Sequence, residues 1–353
     1  MARDGKILIY GATGYTGKLT ARTAKTQGLK PILAGRSAEK TKALAEELGF
    51  EWRAFDLKDT AKLDAALNEV AVVLHIAGPF SATSKPMADA CIRTKTHYLD
   101  ITGEIAVFEA LAARDAEARK AGVMLLPGVG FDVVPSDCLA AHVKRRLPDA
   151  EDLKIYIGGL SGVSRGTAKT GVESIAQGTR VRRGGEIETL EGQNEDLVDF
   201  GQGPRPTMAI SWGDVSTAYH STKIPNIEVH FELTGELKGM MKLPGLVKMF
   251  LGLPFMQSFL KSQIDKRPEG PSDDERKRGQ AILIAVARNA KGETVRTRLK
   301  TPEGYSLTAL TGLDIAKRVA KGEVKAGFQT PSLAFGADYV TAFDGVTRED
   351  LNA

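Results

Sequence analysis

The chain has 353 residues, 42% of them hydrophobic and 26% charged, and a formal net charge of +4. This length provides a sizeable apolar core in one large or two ordinary domains. Its basic residues are scattered and not interleaved with aromatic side chains, so the charge pattern excludes a nucleic-acid-binding surface. The two cysteines and five histidines lack the spacing of metal ligands or of a disulfide framework, and we expect no metal. The first apolar run follows Met1 too closely for a signal peptide, which predicts a cytoplasmic protein.

A glycine-rich turn follows the first apolar run, Ile7 to Tyr10, and leads into a helix-like segment. Gly11 allows a sharp turn, Gly14 leaves room for a pyrophosphate, and Gly17 lets the helix pack closely on the strand. The N–H groups of the first helical turn suit phosphate. We therefore predict a dinucleotide held by Gly11, Ala12, Thr13, Gly14, Tyr15, Thr16 and Gly17. The G-x-x-G-x-x-G spacing differs from the usual G-x-G-x-x-G, so a glycine-rich turn without a nucleotide stays the alternative.

The end of the next strand-like run indicates which dinucleotide would bind. Arg36 and Ser37 stand there, about twenty residues past the glycines, where an NAD site places an acidic residue for the ribose hydroxyl. An arginine at this position suits a 2′-phosphate, with the Ser37 hydroxyl assisting. The pattern favours NADP(H) over NAD, the alternative being a solvated arginine at a strand end.

Strand-like and helix-like runs then alternate up to about residue 126. Strands that are apolar throughout, such as 123–126, are typical of burial on both faces of a sheet. We predict strands at 51–55, 71–76, 97–100 and 123–126, and helices at 39–48, 60–67, 84–93 and 104–120. The alternation predicts an α/β, Rossmann-type doubly wound parallel sheet.

Unusual residues stand where these predicted strands end, and ligands of such sheets lie at that edge. Asp56 follows the third strand and is expected to border the adenine. Gly78, Pro79 and Phe80 form a stiff corner suited to passage of a nicotinamide, or a plain turn. Tyr98 and Glu104 are the candidate proton donors, although Glu104 could equally cap a helix. Thr102 and Gly103, between them, are expected to frame the nicotinamide together with the 78–80 corner.

From residue 149 onward the pattern changes to longer, partly alternating strand-like runs. Residues 289–292 have the composition of a hairpin turn between two of them. We predict a second, mixed α+β domain with a largely antiparallel sheet over 149–300, with one helix near 167–177. A helix at 308–321 and an extended segment at 328–340 are expected to follow.

Two further stretches need interpretation. Residues 239–262 are the most apolar and Met-rich part of the chain, but two prolines and internal lysines disfavour a membrane-spanning helix. Short helices closing over the core, a lid over a lipid-like substrate, and a peripheral membrane contact are the open interpretations. Tyr219 and Lys223 have the Y-x-x-x-K spacing of short-chain dehydrogenases, but the flanking Gly213 and Pro225 predict a turn there and no catalytic pair.

Several of these motifs together resemble the saccharopine dehydrogenase-like group, and within it the oxidoreductases and trans-acting enoyl reductases of bacteria. The motifs are those at 11–17, 34–36, 77–80, 98–104 and 128–137, with further similarity at 165–167, 224–226, 270–272 and 301–305. The resemblance implies an NADP(H)-binding Rossmann domain at 1–148, a substrate domain at 149–300, and a helix and tail at 301–353 that pack back on the first domain.

The function implied is an NADP(H)-dependent oxidoreductase. A saccharopine-type enzyme would need arginine clamps for an amino-dicarboxylate, and the chain offers Arg165, Arg180, Arg182 and Arg183 without showing that they converge. The apolar run favours an enoyl or other lipid-linked small-molecule substrate instead. A C–N oxidoreductase on an amino acid and 2-oxo acid pair, and an NADP-binding sensor without turnover, are the alternatives. Oligomeric state is left open, a homodimer included.

Overall fold

The computed structural model describes residues 5–160, 162–174, 178–192, 194–234, 239 and 245–352. The chain divides into two compact units. The first comprises Met1–Val134 and Gly304–Tyr339, and the second comprises Pro135–Glu303 and Val340–Ala353. Each unit therefore consists of two separate stretches of sequence.

The strands within the described residues are numbered in chain order. They are β1 (Ile7–Tyr10), β2 (Ile32–Gly35), β3 (Trp52–Ala54), β4 (Val72–His75), β5 (His97–Asp100), β6 (Met124–Leu126), β7 (Ala150–Gly158), β8 (Arg180–Arg183), β9 (Glu186–Thr189), β10 (Glu195–Asp199), β11 (Pro204–Ala209), β12 (Asn226–Glu232), β13 (Gln280–Asn289), β14 (Thr294–Pro302), β15 (Gly327–Phe328) and β16 (Thr347–Leu351).

The α-helices are numbered in the same way. They are α1 (Tyr15–Thr26), α2 (Ala38–Leu48), α3 (Thr60–Asn68), α4 (Phe80–Thr94), α5 (Ile105–Ala112), α6 (Asp115–Ala121), α7 (Val134–Arg146), α8 (Arg165–Ser174), α9 (Asp214–Thr222), α10 (Gly245–Leu251), α11 (Pro254–Ile264), α12 (Asp273–Arg278), α13 (Gly304–Ala320) and α14 (Pro331–Phe335). A short 3₁₀ helix spans Tyr339–Ala342.

The first unit contains a seven-stranded parallel sheet with the strand order β15-β6-β5-β4-β1-β2-β3. Every residue of β1, β2 and β4 is buried, because apolar side chains on both faces of a parallel sheet require cover on both sides. The strand order reverses between β1 and β4, which places the topological switch point at their carboxyl ends. The predicted Rossmann-type doubly wound sheet is confirmed.

Helix α13 returns the chain to this first unit, where it packs against α1 and β4. Its Thr308 hydroxyl oxygen accepts the N–H of Phe131 at 2.9 Å, and the Thr311 hydroxyl donates to the carbonyl of Val129 at 2.8 Å. These two bonds fix the loop that follows β6. The helix begins at Gly304, four residues before the predicted start.

The long helix predicted at 104–120 is divided into α5 and α6. Arg114 adopts non-helical backbone angles (φ −97°, ψ 10°) between them. Asp115 then opens α6, and its carboxylate accepts the N–H of Phe328 at 2.8 Å. The break therefore allows Asp115 to hold the short edge strand β15. Helical periodicity does not predict this contact, because the two residues are far apart in the sequence.

The second unit contains a nine-stranded mixed sheet. Its main path is β10-β11-β12-β7-β13-β14-β16, with β8 paired to β12 and β9 paired to β8. Among the described strands only β7 and β12 pair in parallel, so the predicted, largely antiparallel sheet is confirmed. The hairpin expected at 289–292 joins β13 and β14. The helix expected near 167–177 is α8, and residues 175–177 lie outside the described residues.

The unit boundaries differ from the predicted division at 148 and 300. Helix α7 belongs to the second unit because its polar side chains bind the end of that sheet. His142 Nε2 lies 2.8 Å from Asp350 Oδ1, and Arg146 donates to Thr297 Oγ1 at 2.8 Å. Since Asp350 lies in β16, which pairs with β14, the last residues also belong to the second unit and not to the first.

Two local predictions were wrong. The segment Tyr219 to Thr222 is helical, as the last turn of α9, and Lys223 ends that helix at φ +59°. The extended finish expected at 328–340 is interrupted by α14, which starts because Thr330 caps it by accepting the N–H of Leu333 and because Pro331 suits the first helical turn.

Candidate functional site

The glycine-rich turn after β1 has little space for side chains at two of its three glycines. Gly11 has φ +90°, and a Cβ atom there would lie 2.8 Å from the backbone nitrogen of Ala77. A Cβ atom on Gly17 would lie 2.2 Å from the carbonyl oxygen of Gly11. Gly14 is exposed, and a Cβ atom there would meet its nearest atom at the ordinary contact distance of 3.6 Å. Gly11 and Gly17 thus close the turn, and Gly14 leaves its outer side accessible.

Helix α1 starts directly behind this turn. Its N-cap is Gly14, which has no side chain to accept a hydrogen bond, and its first turn carries no acidic residue. The turn itself is held by the N–H groups of Gly11 and Ala12, which both donate to the carbonyl of Ala34 in β2. A helix start without a side-chain cap, at an exposed residue, suits an anionic group. Thr13, Tyr15 and Thr16 lie in the same turn.

Arg36, Ser37 and Asp56 come together at the carboxyl ends of β2 and β3, where Gly35 pairs with Ala54. Arg36 is exposed and has no hydrogen-bond or ion-pair partner among the described residues. Ser37 caps α2 by accepting the N–H of Lys40 at 3.3 Å, which leaves its own proton available. Asp56 is exposed and accepts the N–H of Lys58 at 2.9 Å.

Glu104 joins the two loops that were expected to frame a nicotinamide. Its Oε1 accepts the N–H of Phe80 at 2.8 Å and its Oε2 accepts the N–H of Ser81 at 2.7 Å. The carboxylate therefore caps α4 from the loop after β5. Gly78 and Pro79 are exposed at the corner thus fixed, and Phe80 is buried beneath it. With both oxygens engaged as acceptors, Glu104 is placed to position this corner.

Tyr98, the second candidate proton donor, is fully buried. Its hydroxyl donates to Asp100 Oδ2 at 2.5 Å, while Asp100 Oδ1 accepts the N–H groups of Thr102 and Gly128 at 2.9 and 3.0 Å. Burial, with the neighbouring Asp100 carboxylate, raises the pKa of Tyr98 well above its usual range. Burial also raises the pKa of Asp100 to about 6. This network connects the ends of β5 and β6 and lies away from solvent.

His75, which sequence reasoning missed, ends β4 in the same region and is fully buried. Its Nε2 lies 3.0 Å from Thr83 Oγ1, and the Thr83 hydroxyl donates to the carbonyl of Ala77 at 2.7 Å. Since that hydroxyl has one proton, His75 donates from Nε2, and Nδ1 has no partner among the described residues. Burial lowers the pKa of His75 to about 3, so the ring is neutral. Through Thr83, the buried His75 side chain supports the 77–80 corner.

Asp132 is the second residue that sequence reasoning missed. It lies in the loop after β6, partly buried, and it has no hydrogen-bond or ion-pair partner among the described residues. A Cβ atom on Gly103 would lie 3.0 Å from Asp132 Oδ2, so the carboxyl group rests directly against this glycine. Burial raises the pKa of Asp132 to about 7. A carboxyl group of this kind exchanges its proton near neutral pH, which is the property of a general acid.

The residues at this edge fit an NADP molecule. The exposed Gly14 and the start of α1 suit the pyrophosphate, and the exposed Arg36 guanidinium suits a 2′-phosphate. In the described part of the chain, no group of three or more His, Cys, Asp or Glu side chains is arranged to hold a metal ion.

Parts of this chain are similar to known proteins. Residues 7–126 match the family model described as the saccharopine dehydrogenase NADP binding domain. A trans-acting enoyl reductase of Mycobacterium leprae is 35% identical over 153 residues, which are 41% of this chain and 37% of that protein. The corresponding protein of Mycobacterium ulcerans is 31% identical over 158 residues, 42% of this chain and 37% of the relative. The chain thus matches little more than a third of the length of these curated relatives.

The fold of the whole chain also has a counterpart among solved structures. The apo form of saccharopine dehydrogenase (L-Glu forming) from Saccharomyces cerevisiae superposes with a TM-score of 0.64, covering 98% of this chain and 100% of that one at 15% identity. At this identity the match concerns the fold alone. The family model confirms the predicted resemblance and the predicted nicotinamide dinucleotide cofactor. Residues 7–126 of this chain are therefore similar to the saccharopine dehydrogenase NADP binding domain.

Proposed function

We propose that the chain is an NADP(H)-dependent oxidoreductase that reduces an apolar, enoyl- or lipid-linked small molecule. The observation that carries the proposal is the Asp132 carboxyl group, which lies against Gly103 with a pKa of about 7 at the same edge of the first unit's sheet as the glycine-rich turn. A reduction needs a hydride and a proton, and bound NADPH supplies the hydride. The chain has to supply orientation and the proton.

The division of labour among the residues follows from their contacts. Arg36 binds the 2′-phosphate, and the turn at Gly14 binds the pyrophosphate. Glu104 holds the 78–80 corner through two backbone N–H groups. Asp132, whose pKa is raised to about 7 by burial, is partly protonated near neutral pH and donates its proton to the substrate. Tyr98, whose proton is engaged by buried Asp100, acts as a positioning residue.

Three of the four arginines considered for an amino-dicarboxylate clamp, all but Arg180, have partners within the second unit, which favours an apolar substrate. Arg182 is buried and donates to the carbonyls of Val215 and Gly185, at 2.8 Å in the first case. Arg183 pairs with Glu228, and Arg165 donates to the carbonyl of Arg267 at 2.6 Å. These guanidinium groups are engaged within the unit, which argues against a carboxylate clamp. The curated relatives named enoyl reductases support the same substrate class.

Cofactor binding is tested first, by native mass spectrometry of the wild type and Arg36→Ala with NADPH and NADH. We expect the wild type to retain NADPH preferentially and the variant to lose that preference, because Arg36 has no other partner among the described residues. Retention of neither dinucleotide by the wild type would refute the oxidoreductase.

Turnover is then followed as NADPH oxidation with a panel of enoyl thioesters, and with amino acid and 2-oxo acid pairs as a second arm. Asp132→Asn is expected to lower kcat by roughly a hundredfold or more while NADPH retention stays unchanged. Asp344→Asn, at an exposed aspartate of the second unit, is the matched control. Wild-type turnover in Asp132→Asn would show that another group donates the proton, and activity in the second arm alone would replace the substrate class.

A further inference from the structure

Large apolar side chains are exposed on the helices α10 and α11 of the second unit. Met249 is 63% exposed and Phe250 49%, while Phe255 and Phe259 are 62% and 55% exposed. The helices contact each other, and the rings of Phe250 and Phe255 lie 5.8 Å apart. These four side chains are the outer patch. Residues 240–244 of the predicted apolar run lie outside the described residues.

Helix α11 carries large apolar side chains on its outward side in addition to those on its packed side. Phe255 and Phe259 are four residues apart and hence share one face, and that face points to solvent. The helix is attached by its other side, where Ile264 is buried and α11 packs against α8. Lys169 of α8 also binds Asp265 at 2.6 Å, just after α11 ends. A soluble helix normally directs its apolar stripe inward, so an outward aromatic face indicates a contact with something apolar.

The segment that carries the outer patch has an excess of basic residues. Residues 245–267 contain the four basic residues Lys248, Lys261, Lys266 and Arg267 and the one acidic residue Asp265, a formal charge of 4 − 1 = +3. The chain as a whole carries only +4 over 353 residues. Moreover, the one acidic residue is paired with Lys169. The segment that carries the exposed aromatics is therefore basic in composition.

We infer that the outer patch docks on the surface of an anionic lipid membrane. Within the described residues, no helix is long and apolar enough to cross a bilayer, so the contact would lie in the interface. Aromatic and aliphatic side chains on one face with lysines and arginines beside them are the composition of interfacial helices. Each Lys or Arg near an anionic surface strengthens binding about fivefold. The inference does not depend on the proposed function.

Vesicle flotation of the full chain tests this docking. The wild type is expected to float with phosphatidylcholine–phosphatidylglycerol vesicles, to float weakly with phosphatidylcholine alone, and to be released by high salt. The double variant Phe255→Gln/Phe259→Gln is expected to bind the vesicles at least about tenfold more weakly than the wild type, because it removes two aromatic anchors. Lys266→Gln/Arg267→Gln should lose binding to the anionic vesicles only.

The control is Leu197→Gln, which removes another exposed apolar side chain, 72% exposed, in β10 of the same unit. It should float like the wild type, and circular dichroism should show all variants folded. Flotation of the phenylalanine variant at the wild-type level would overturn the inference, as would equal binding to both kinds of vesicle. If the wild type does not float but forms a dimer that the phenylalanine variant breaks, the patch binds a second copy and the inference is also wrong.

Discussion

The unpartnered Asp132 carboxyl group has a measurable effect on stability that requires no substrate. Burial raises its pKa from 3.8 to about 7, so the folded chain holds this proton over a pH range in which the unfolded chain has released it. The contribution to the free energy of unfolding is fully present below about pH 4 and is lost as the pH rises to about 7. Asp132→Asn cannot ionise, and the variant should escape this loss.

The magnitude follows from the shift. A change of about three pKa units corresponds to ~4 kcal/mol when the group is fully shielded from water. Asp132 is partly exposed, and solvent screening reduces the effect to about 2 kcal/mol. The stability of Asp132→Asn minus that of the wild type should thus increase by about 2 kcal/mol between pH 4 and pH 7 and stay constant above.

Urea unfolding of both proteins without cofactor, at several pH values across this range, measures the difference directly. Asp344→Asn, at an exposed site of the second unit, is the control. A difference between Asp132→Asn and the wild type that does not change with pH would mean that the Asp132 carboxyl titrates like an ordinary aspartate. In that case its assignment as the proton donor would lose its basis.

Two other predictions concern the same sheet edge. Burial lowers the pKa of His75 to about 3, so its contribution to the free energy of unfolding is fully present above the ordinary pKa of 6.5. As the pH falls this contribution declines, by about 2 kcal/mol at pH 5. His75→Gln should flatten this decline in thermal unfolding curves, and an unchanged slope would contradict a neutral His75. Gly17→Ala places a Cβ atom 2.2 Å from the Gly11 carbonyl oxygen and should destabilise the chain by about 2 kcal/mol and abolish NADPH retention. Gly171→Ala, whose Cβ atom would meet nothing within 4 Å, is its control; equal NADPH retention by the two variants would show that the turn is not the binding site.

Sequence patterns predicted the features that depend on local spacing. Glycines three apart after an apolar run predicted the turn at Gly11 to Gly17, and alternating strands and helices predicted the parallel sheet. The break at Arg114 was not predictable, because it depends on the bond between Asp115 and Phe328, which are 213 residues apart. The turn predicted at Tyr219 was wrong because the proline at 225 acts only beyond Lys223, where the helix has already ended.

The availability of a side chain for chemistry was harder to predict than its position. Tyr98 and Glu104 were expected at the correct strand end, but their polar atoms are engaged by Asp100 and by the start of α4. Asp132 lies in the 128–137 motif, and nothing in the sequence distinguishes it from Asp137 close by. Which carboxyl group lacks a partner is decided by atoms from other loops, such as Gly103.

The interleaved connectivity of the two units constrains how the chain can acquire its structure during synthesis. The first unit needs α13 and β15, and the second needs β16, so both depend on residues beyond 303. A ribosome-bound chain that ends before residue 304 exposes the apolar surface of β4 that α13 later covers. Neither unit can complete its fold while the chain is still short. Both are expected to reach their final structure only after α13, β15 and β16 have left the ribosome.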